Sequence, residues 1–228
     1  MGYLDDSRFG SFWYRIPQVT RNVVAINILF FIATLINEDF MYRVFSLYYF
    51  KSPFFHSWQI LTHMFMHGGF WHLFFNMYTL LMFGTALENA IGSRKFLVFY
   101  FIAGLGAVAL HMGVQGIQLS AALSADNLSG VQSVLYTPTV GASGAIYGIL
   151  IGYAMMYPDS VLTLLFPPIS LKAKWFVLIF AAIELLTGVT GTMEGIAHFA
   201  HLGGMLFGWL LMLWWKKTGR IYERDNWI

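Results

Sequence analysis

The chain has 228 residues, of which 58% are hydrophobic and only 11% are charged, and its mean hydropathy is +0.64. Soluble domains carry about 45–50% apolar and about 25% charged residues, so this composition excludes an ordinary soluble domain and indicates an integral membrane protein. The net charge of +2 is too small to indicate a nucleic-acid partner, and the lack of cysteine excludes disulfides.

Six apolar stretches have the length, or nearly the length, of the roughly 20 residues that cross a bilayer as a helix. In chain order they are residues 17–36, 69–90, 96–115, 142–157, 173–189 and 197–215. The sequence therefore predicts an all-α fold, a polytopic membrane bundle of six transmembrane helices. We expect a single membrane domain over residues 1–228, with a short N-terminal segment 1–16 and a C-terminal tail 216–228.

Lys and Arg residues concentrate on one side of this predicted bundle. Only Arg43 and Lys51 fall on the other side, which leaves 11 of the 13 basic residues on the side of the two termini. Because cytoplasmic segments carry the excess of Lys and Arg, we expect both termini to be cytoplasmic. A compact six-span chain fits a bacterial inner membrane.

Two segments on the predicted outer side stand apart from the spans. Residues 41–66 are rich in aromatic side chains but are interrupted by Lys51 and Pro53, and aromatic rings favour the membrane–water interface. We interpret this segment as a loop in the outer leaflet. Residues 116–140 are polar, carry Asp126 as their only charge, and are predicted to form a surface loop.

Polar residues inside membrane spans are costly and indicate function by default. Spans two, four and six run in the same direction, so their N-terminal ends should share one depth. At that depth lie His72 and Asn76 of span two, Ser143 of span four, and His198 and His201 of span six. These groups can meet if the three helices pack closely.

Small residues recur at the spacing that lets helix backbones approach each other. Gly144, Gly148 and Gly152 follow one face of span four, and Gly204 and Gly208 follow span six. Most glycines at this spacing serve only helix packing. The same packing would bring a serine on span four within hydrogen-bond reach of a histidine on span six.

Ser143, in the stretch GASGAIYG, has two interpretations. A serine at a helix start most often caps the helix by accepting a backbone N–H. A nucleophile instead needs an adjacent base and donors aimed at the oxyanion that forms. His72 and Asn76 share one helical face at a spacing of four residues, so both can donate to the same oxyanion.

Three stretches, THMFMHGGFWHLFFN, GASGAIYG and AHLGGMLFG, resemble the rhomboid family of intramembrane serine proteases. The resemblance covers roughly residues 58–208. It implies that Ser143 is the nucleophile and that His201 is the base. His201 fits better than His198 because glycines follow it at the family's offsets, as the two residues Gly204 and Gly208.

The resemblance also implies roles for the surrounding residues. His72 and Asn76 would stabilise the oxyanion together with the Ser143 backbone N–H, and Tyr147 would stack on the base. The fifth span would flank a lateral opening for substrates. The family often has Trp-Arg in its first outer loop, whereas Gln59 follows Trp58 here, which puts the anchoring of the loop in question.

Other ionisable residues have weaker interpretations. Glu88 is expected to be structural, and Glu184, in span five, has no assigned role. No acid is expected near His201, so the sequence predicts a Ser-His dyad rather than a triad. His63 and His67 are four residues apart, but no HExxH motif accompanies them and no metal is predicted.

The predicted function is an intramembrane serine endopeptidase that forms an acyl-enzyme, needs no cofactor, and opens to the outer face. Its partners would be the lipid bilayer and transmembrane protein substrates, cut in or near a membrane helix. Two alternatives remain: a catalytically inactive relative that binds membrane proteins, and a small transporter. Neither the natural substrate nor the oligomeric state follows from the sequence.

Overall fold

A computed structural model of the chain describes residues 13–163, 168–190 and 196–221. The helices are α1 (Gln18–Ile36), α2 (Glu38–Phe45), α3 (Gln59–Thr62), α4 (Phe70–Thr79), α5 (Thr85–Ile91), α6 (Ser93–Ser124), α7 (Leu128–Tyr136), α8 (Ser143–Met156), α9 (Ala173–Thr190) and α10 (Ile196–Lys217). Two short antiparallel strands, β1 (Val161–Thr163) and β2 (Ser170–Lys172), join α8 to α9, with Leu162 opposite Leu171. Arg8 and Arg224, which contribute to the predicted orientation, lie outside the described residues.

The predicted helical membrane architecture is confirmed in its coarse form. Within the described ranges, α1, α6 and α9 are long and apolar enough to cross a membrane, and α8 is a shorter apolar helix. The helices α4 and α5 form one continuous rod, because a π-helical turn, Leu80–Gly84, joins them without a break. The count of six spans stays a prediction.

The prediction of a surface loop at residues 116–140 is wrong, because most of this segment is helical. Helix α6 continues through Ser124, and α7 begins after Asn127, whose side chain accepts the backbone N–H of Gly130 as an N-cap. Leu119 of α6, Val134 of α7 and Tyr49 form a small buried apolar cluster. Polarity misled the prediction, because a capped helix with one packed face needs few apolar residues.

The core centres on α6, which packs against α8 and α10. Phe96, Phe99 and Tyr100 of α6 are completely buried. Of the glycines predicted to allow close packing, Gly152 instead faces Leu87 of α5 and Phe99 of α6, and the other four lie where α8 meets α10. A methyl group on Gly204 would overlap the carbonyl oxygen of Gly144, and one on Gly148 would lie 2.9 Å from the carbonyl oxygen of Gly204. One on Gly208 would lie 3.1 Å from the Cα atom of Gly148.

Glu88 ties the start of α1 to the junction of α5 and α6. Its buried carboxylate accepts the backbone N–H groups of Val19 at 3.0 Å and Thr20 at 2.7 Å, and the hydroxyls of Thr20 at 2.8 Å and Ser93 at 2.7 Å. A carboxylate at a helix N-terminus satisfies free N–H groups and complements the helix dipole. These contacts agree with the structural role expected for Glu88.

Gln59 anchors the aromatic-rich segment that precedes α4. Its side chain is fully buried, accepts the backbone N–H of His56 at 3.1 Å, and donates to the carbonyl oxygens of Arg43 at 3.2 Å and Phe54 at 3.0 Å. The neighbouring Trp58 donates its indole N–H to the carbonyl oxygen of Val44 at 2.9 Å. The departure from Trp-Arg therefore leaves the segment firmly held by backbone hydrogen bonds.

Candidate active site

Ser143 is the first residue of α8 and is paired with a histidine of α10. Its Oγ lies 2.9 Å from Nε2 of His201, 58 residues further along the chain. Ala142 occupies the N-cap position, and no side-chain cap hydrogen bond forms at this helix start. The hydroxyl of Ser143 is therefore engaged with an imidazole, not with the end of its own helix.

Gly141 shapes the turn that presents Ser143. Its φ of +132° is a conformation that residues with side chains rarely adopt. A methyl group here would also lie 3.0 Å from Nε2 of His72 and 3.3 Å from Oγ of Ser143. The backbone N–H of Gly141 donates to the carbonyl oxygen of His63 at 3.0 Å, which fixes the turn against the preceding loop.

Tyr147, one turn after Ser143, covers the imidazole of His201. The two rings are stacked, with centroids 4.1 Å apart and planes 4° from parallel. This is the arrangement that the family resemblance implied for Tyr147. The ring limits the rotation of His201 while leaving Nε2 directed at the serine.

Glu184 of α9 lies beside His201, so the expectation that no acid comes near this histidine is wrong. Oε2 of Glu184 lies 3.1 Å from Nδ1 of His201 and 2.6 Å from Nδ1 of His198. Its other oxygen, Oε1, accepts the hydroxyl of Tyr147 at 2.6 Å. The 3.1 Å contact with His201 is not aligned as a hydrogen bond, and Nδ1 of His201 has no hydrogen-bond partner among the described residues.

The position of Glu184 in the helix explains why it was missed. It lies six residues before the end of α9, about 9 Å from that end, and His201 lies five residues after the start of α10, about 8 Å from that start. Because α9 and α10 are consecutive and pack together, these two positions meet at one level. Measuring both residues from the shared end of the two spans would have revealed the contact.

His72 and Asn76 lie one turn apart on α4. His72 accepts the backbone N–H of Gly68 through Nδ1 at 3.4 Å, and its Nε2 edge adjoins Gly141. Asn76 is buried, and its amide Nδ2 has no hydrogen-bond partner among the described residues. A buried donor without a partner is costly, and it is suited to bind an acceptor on a ligand.

A small cavity of about 40 Å³ adjoins Ser143 and His201. Its polar lining includes His63, His111 and Thr139, and the last two are joined by a 2.8 Å contact from Nε2 to Oγ1. This volume is sufficient for a water molecule, which needs about 10–15 Å³ of such space and two or more polar partners. The site therefore has room for water next to the serine.

The histidines near the site differ in their capacity to hold a metal. Within the described residues, the ligand atoms of Glu184, His198 and His201 all lie within 4.8 Å of one another and form a possible metal-binding set. His63 instead uses Nδ1 in a 2.9 Å contact to the carbonyl oxygen of Gln59. Burial lowers the pKa of His63 to about 4, so this ring is neutral at physiological pH.

Comparison with known proteins gives the family. The sequence profile of the rhomboid domain matches residues 55–217. The chain is 31% identical over 162 residues to RHOMBOID-like protein 4 of Arabidopsis thaliana, covering 68% of this chain and 33% of that protein. It is also 31% identical over 163 residues to the rhomboid protease AarA of Providencia stuartii, covering 68% of this chain and 55% of that protein.

A mitochondrial relative, rhomboid protein 1 of Saccharomyces cerevisiae, is 26% identical over 157 residues, covering 67% of this chain and 41% of that protein. The chain thus spans between a third and just over half of the length of these relatives. It is an integral membrane protein with apolar spanning helices. It belongs to the rhomboid family, and the protease AarA is a relative within that family.

Proposed function

We propose that this protein is an intramembrane serine endopeptidase in which Ser143 is the nucleophile and His201 is the general base. The observation that carries the proposal is the 2.9 Å contact between Oγ of Ser143 and Nε2 of His201 at the start of α8. A hydroxyl is a weak nucleophile until a base within hydrogen-bond reach accepts its proton. This pair meets that requirement without any rearrangement.

The reaction follows from these positions. His201 accepts the proton of Ser143 as Oγ attacks the carbonyl carbon of a peptide bond, and the carbonyl oxygen becomes an oxyanion. The same imidazole then gives the proton to the departing amine, which leaves an ester of Ser143. Water attacks this ester with His201 again acting as base, so the serine is restored and a carboxylic acid is released.

The oxyanion would be held by the backbone N–H of Ser143, by His72 and by Asn76. Donors fixed at the point where charge develops are commonly the largest single contribution to such catalysis. The unpartnered amide of Asn76 supports this role, as does the closeness of His72 to the turn that carries the serine. The N-terminus of α8 adds the positive end of its helix dipole.

Substrates would be membrane-anchored proteins that are cut in or near a transmembrane segment. Of the three candidate spans α1, α6 and α9 found in the described residues, α9 is the least covered by protein, with 17% of its apolar window buried against 44% for α6. A weakly packed helix beside Ser143 supports the view that a substrate helix approaches past α9. We further propose cytoplasmic termini, a bacterial inner membrane and a site that opens to the outer face.

The test is cleavage of a fluorogenic transmembrane peptide by protein reconstituted in liposomes. Ser143→Ala and His201→Ala should each lower kcat/KM by at least about 1,000-fold, because nucleophile and base act as a unit. Ser120→Ala is the matched control, since Ser120 is an exposed serine that bonds only within α6. Cleavage by Ser143→Ala at the wild-type rate would overturn the proposed function.

A further inference from the structure

Glu184 is the one buried carboxylate near Ser143 among the described residues, and side chains from two other helices converge on it. Tyr147 of α8 donates to Oε1 at 2.6 Å, and His198 of α10 approaches Oε2 at 2.6 Å. His201 of α10 approaches the same Oε2 at 3.1 Å. An acid inside a membrane span is costly unless it is paired, and here each oxygen has a partner.

We propose that Glu184 is a positioning residue that holds His201 in the orientation and tautomer needed to activate Ser143. This proposal rests on the proposed function. With the carboxylate at Nδ1, the imidazole carries its proton on Nδ1 and keeps Nε2 free to accept the proton of Ser143. When that proton arrives, the ring becomes a cation, and the negative charge of Glu184 lies within 3.1 Å of it.

Glu184 acts on His201 by a second route, through Tyr147. The tyrosine ring is stacked on the imidazole, while the tyrosine hydroxyl is tied to Oε1 of Glu184. One carboxylate therefore fixes the edge of His201 through Oε2 and its face through Tyr147. His198 occupies the remaining side of Oε2, which keeps the carboxylate from rotating toward another partner.

The imperfect alignment between Glu184 and His201 is consistent with this role. Hydrogen bonds of a catalytic site are often long or poorly aligned without substrate and tighten when charge develops. Nδ1 of His201 is buried, and Oε2 of Glu184 is the one carboxylate oxygen found within 4 Å of it in the described part of the chain. The distance is already that of a hydrogen bond, so only the alignment of the two groups has to improve.

The pH dependence of the reaction distinguishes positioning from mere support of the fold. The titratable groups that face His201 are Tyr147 from α8, Glu184 from α9, His198 from its own helix and His72 from α4. His111 of α6 lines the same cavity. Glu184 is the one carboxylate among these groups, so its replacement should have a distinct effect on the acidic limb of the rate profile.

The experiment measures kcat and KM across pH 4–9 for wild type, Glu184→Gln and Glu184→Asp in liposomes. The Gln variant keeps the shape but loses the charge, and we expect kcat to fall about 10- to 100-fold with little change in KM. The acidic limb should move to lower pH, because the protonated imidazole has lost its counter-ion. The Asp variant keeps the charge, so the acidic limb of its pH profile should stay near that of wild type. Its loss of kcat should be smaller than that of the Gln variant.

Glu88→Gln is the matched control, because Glu88 is the other buried carboxylate in the described chain and lies in α5, at the opposite end of the α4–α5 rod from His72 and Asn76. Its pH profile should equal that of wild type. If Glu184→Gln does not fold, nitrogen NMR of the wild-type protein reads the tautomer of His201, and a neutral imidazole with its proton on Nε2 overturns the proposal. Wild-type kcat and an unshifted limb in a folded Glu184→Gln overturn it as well.

Two further outcomes separate this inference from its alternatives. All assays are run with and without EDTA, and full wild-type activity in EDTA is expected. Loss of activity in EDTA, restored by Zn²⁺, would mean that Glu184, His198 and His201 hold a metal, which overturns the positioning role. If Ser143→Ala is as active as wild type, the proposed function itself fails. If Ser143→Ala is inactive and Glu184→Gln is unchanged, only this inference fails.

Discussion

Three functional groups around His201 each engage a different part of its imidazole ring. Ser143 faces Nε2, Glu184 faces Nδ1, and Tyr147 covers the face of the ring. The imidazole therefore has little freedom to rotate before a substrate binds. In general, holding reacting groups in a productive geometry lowers the barrier, because the entropy of ordering is lost in advance.

Replacing Tyr147 with phenylalanine separates stacking from hydrogen bonding. Tyr147→Phe keeps a ring over His201 but removes the hydroxyl that reaches Glu184, and a single hydrogen bond is worth about 0.5–1.5 kcal/mol. We expect kcat/KM to fall about threefold to tenfold, measured with the fluorogenic peptide. Tyr147→Ala should lose more, because stacking disappears too. A larger loss of kcat/KM in Tyr147→Phe than in Tyr147→Ala would contradict this separation of stacking from hydrogen bonding.

The buried imidazole of His63 predicts a loss of stability in acid. Its pKa lies at about 4 in the folded protein and at about 6.5 in an unfolded chain. Protons therefore bind preferentially to the unfolded state below pH 6.5, and stability falls as the pH drops from 6.5 toward 4. His63→Asn keeps a donor for the carbonyl oxygen of Gln59 but does not titrate. Its Tm should change less over this range than that of wild type, and an equal change would refute the assignment.

At the scale of single residues, the sequence predicted what a motif encodes and missed what a contact between consecutive helices creates. Ser143 and His201 each stand in a distinctive local pattern, so their pairing could be predicted. Glu184 stands among apolar residues with no pattern of its own. Its role depends on the level at which α9 meets α10, which follows from the distance of each residue to the shared end of the two helices and not from a local motif.

At the scale of helices, the contact between α8 and α10 sets the distance from serine to histidine. The two backbones approach each other through glycines, and an added methyl group on Gly148, Gly204 or Gly208 would meet main-chain atoms of a glycine on the facing helix. Main-chain atoms cannot rotate away as side chains can. The position of His201 therefore depends on the close contact that begins at Gly204, one turn later in α10.

A methyl group on Gly204 should separate these helices. We expect Gly204→Ala to lower Tm by about 2–12 °C, since overpacking costs about 1–3 kcal/mol, and to lower kcat/KM about tenfold or more. Gly113→Ala in α6 is the matched control, because nothing lies within 4 Å of its added methyl group and alanine favours a helix. Equal effects of the two substitutions on activity would show that the glycine contact does not set the site.

Helix boundaries were harder to predict from the sequence than helix existence. The apolar stretches at 17–36 and 173–189 correspond closely to α1 and α9, because their length and composition suffice. By contrast, α6 extends beyond the apolar stretch to Ser124, and α7 was missed. Both errors arise where helical structure is supported by capping and packing in a polar segment.

At the scale of the whole molecule, stability and chemistry are concentrated at opposite ends of the helical rod formed by α4 and α5. His72 and Asn76 lie near its start, and Glu88 lies near its end, about 24 Å from His72 along the axis. Glu88 connects α1, α5 and α6 through four hydrogen bonds. A change at one end should therefore leave the other end intact.

Glu88→Gln tests this separation. Because an amide nitrogen cannot accept the N–H and hydroxyl donors that surround Glu88, we expect a loss of about 1–3 kcal/mol and a fall in Tm of several degrees. The kcat of the folded fraction at 20 °C should stay within about twofold of wild type. A tenfold fall in kcat with unchanged Tm would show that the two ends are coupled.

The most direct test of the central claim is covalent labelling with a fluorophosphonate, which reacts only with an activated serine, followed by peptide mass spectrometry. We predict one adduct in the wild-type protein, on Ser143, and none in Ser143→Ala. In His201→Ala the rate of labelling should fall at least about 100-fold, because the base is lost. An adduct on another serine, or labelling of Ser143 at an unchanged rate in His201→Ala, would contradict the assignment of this pair as nucleophile and base.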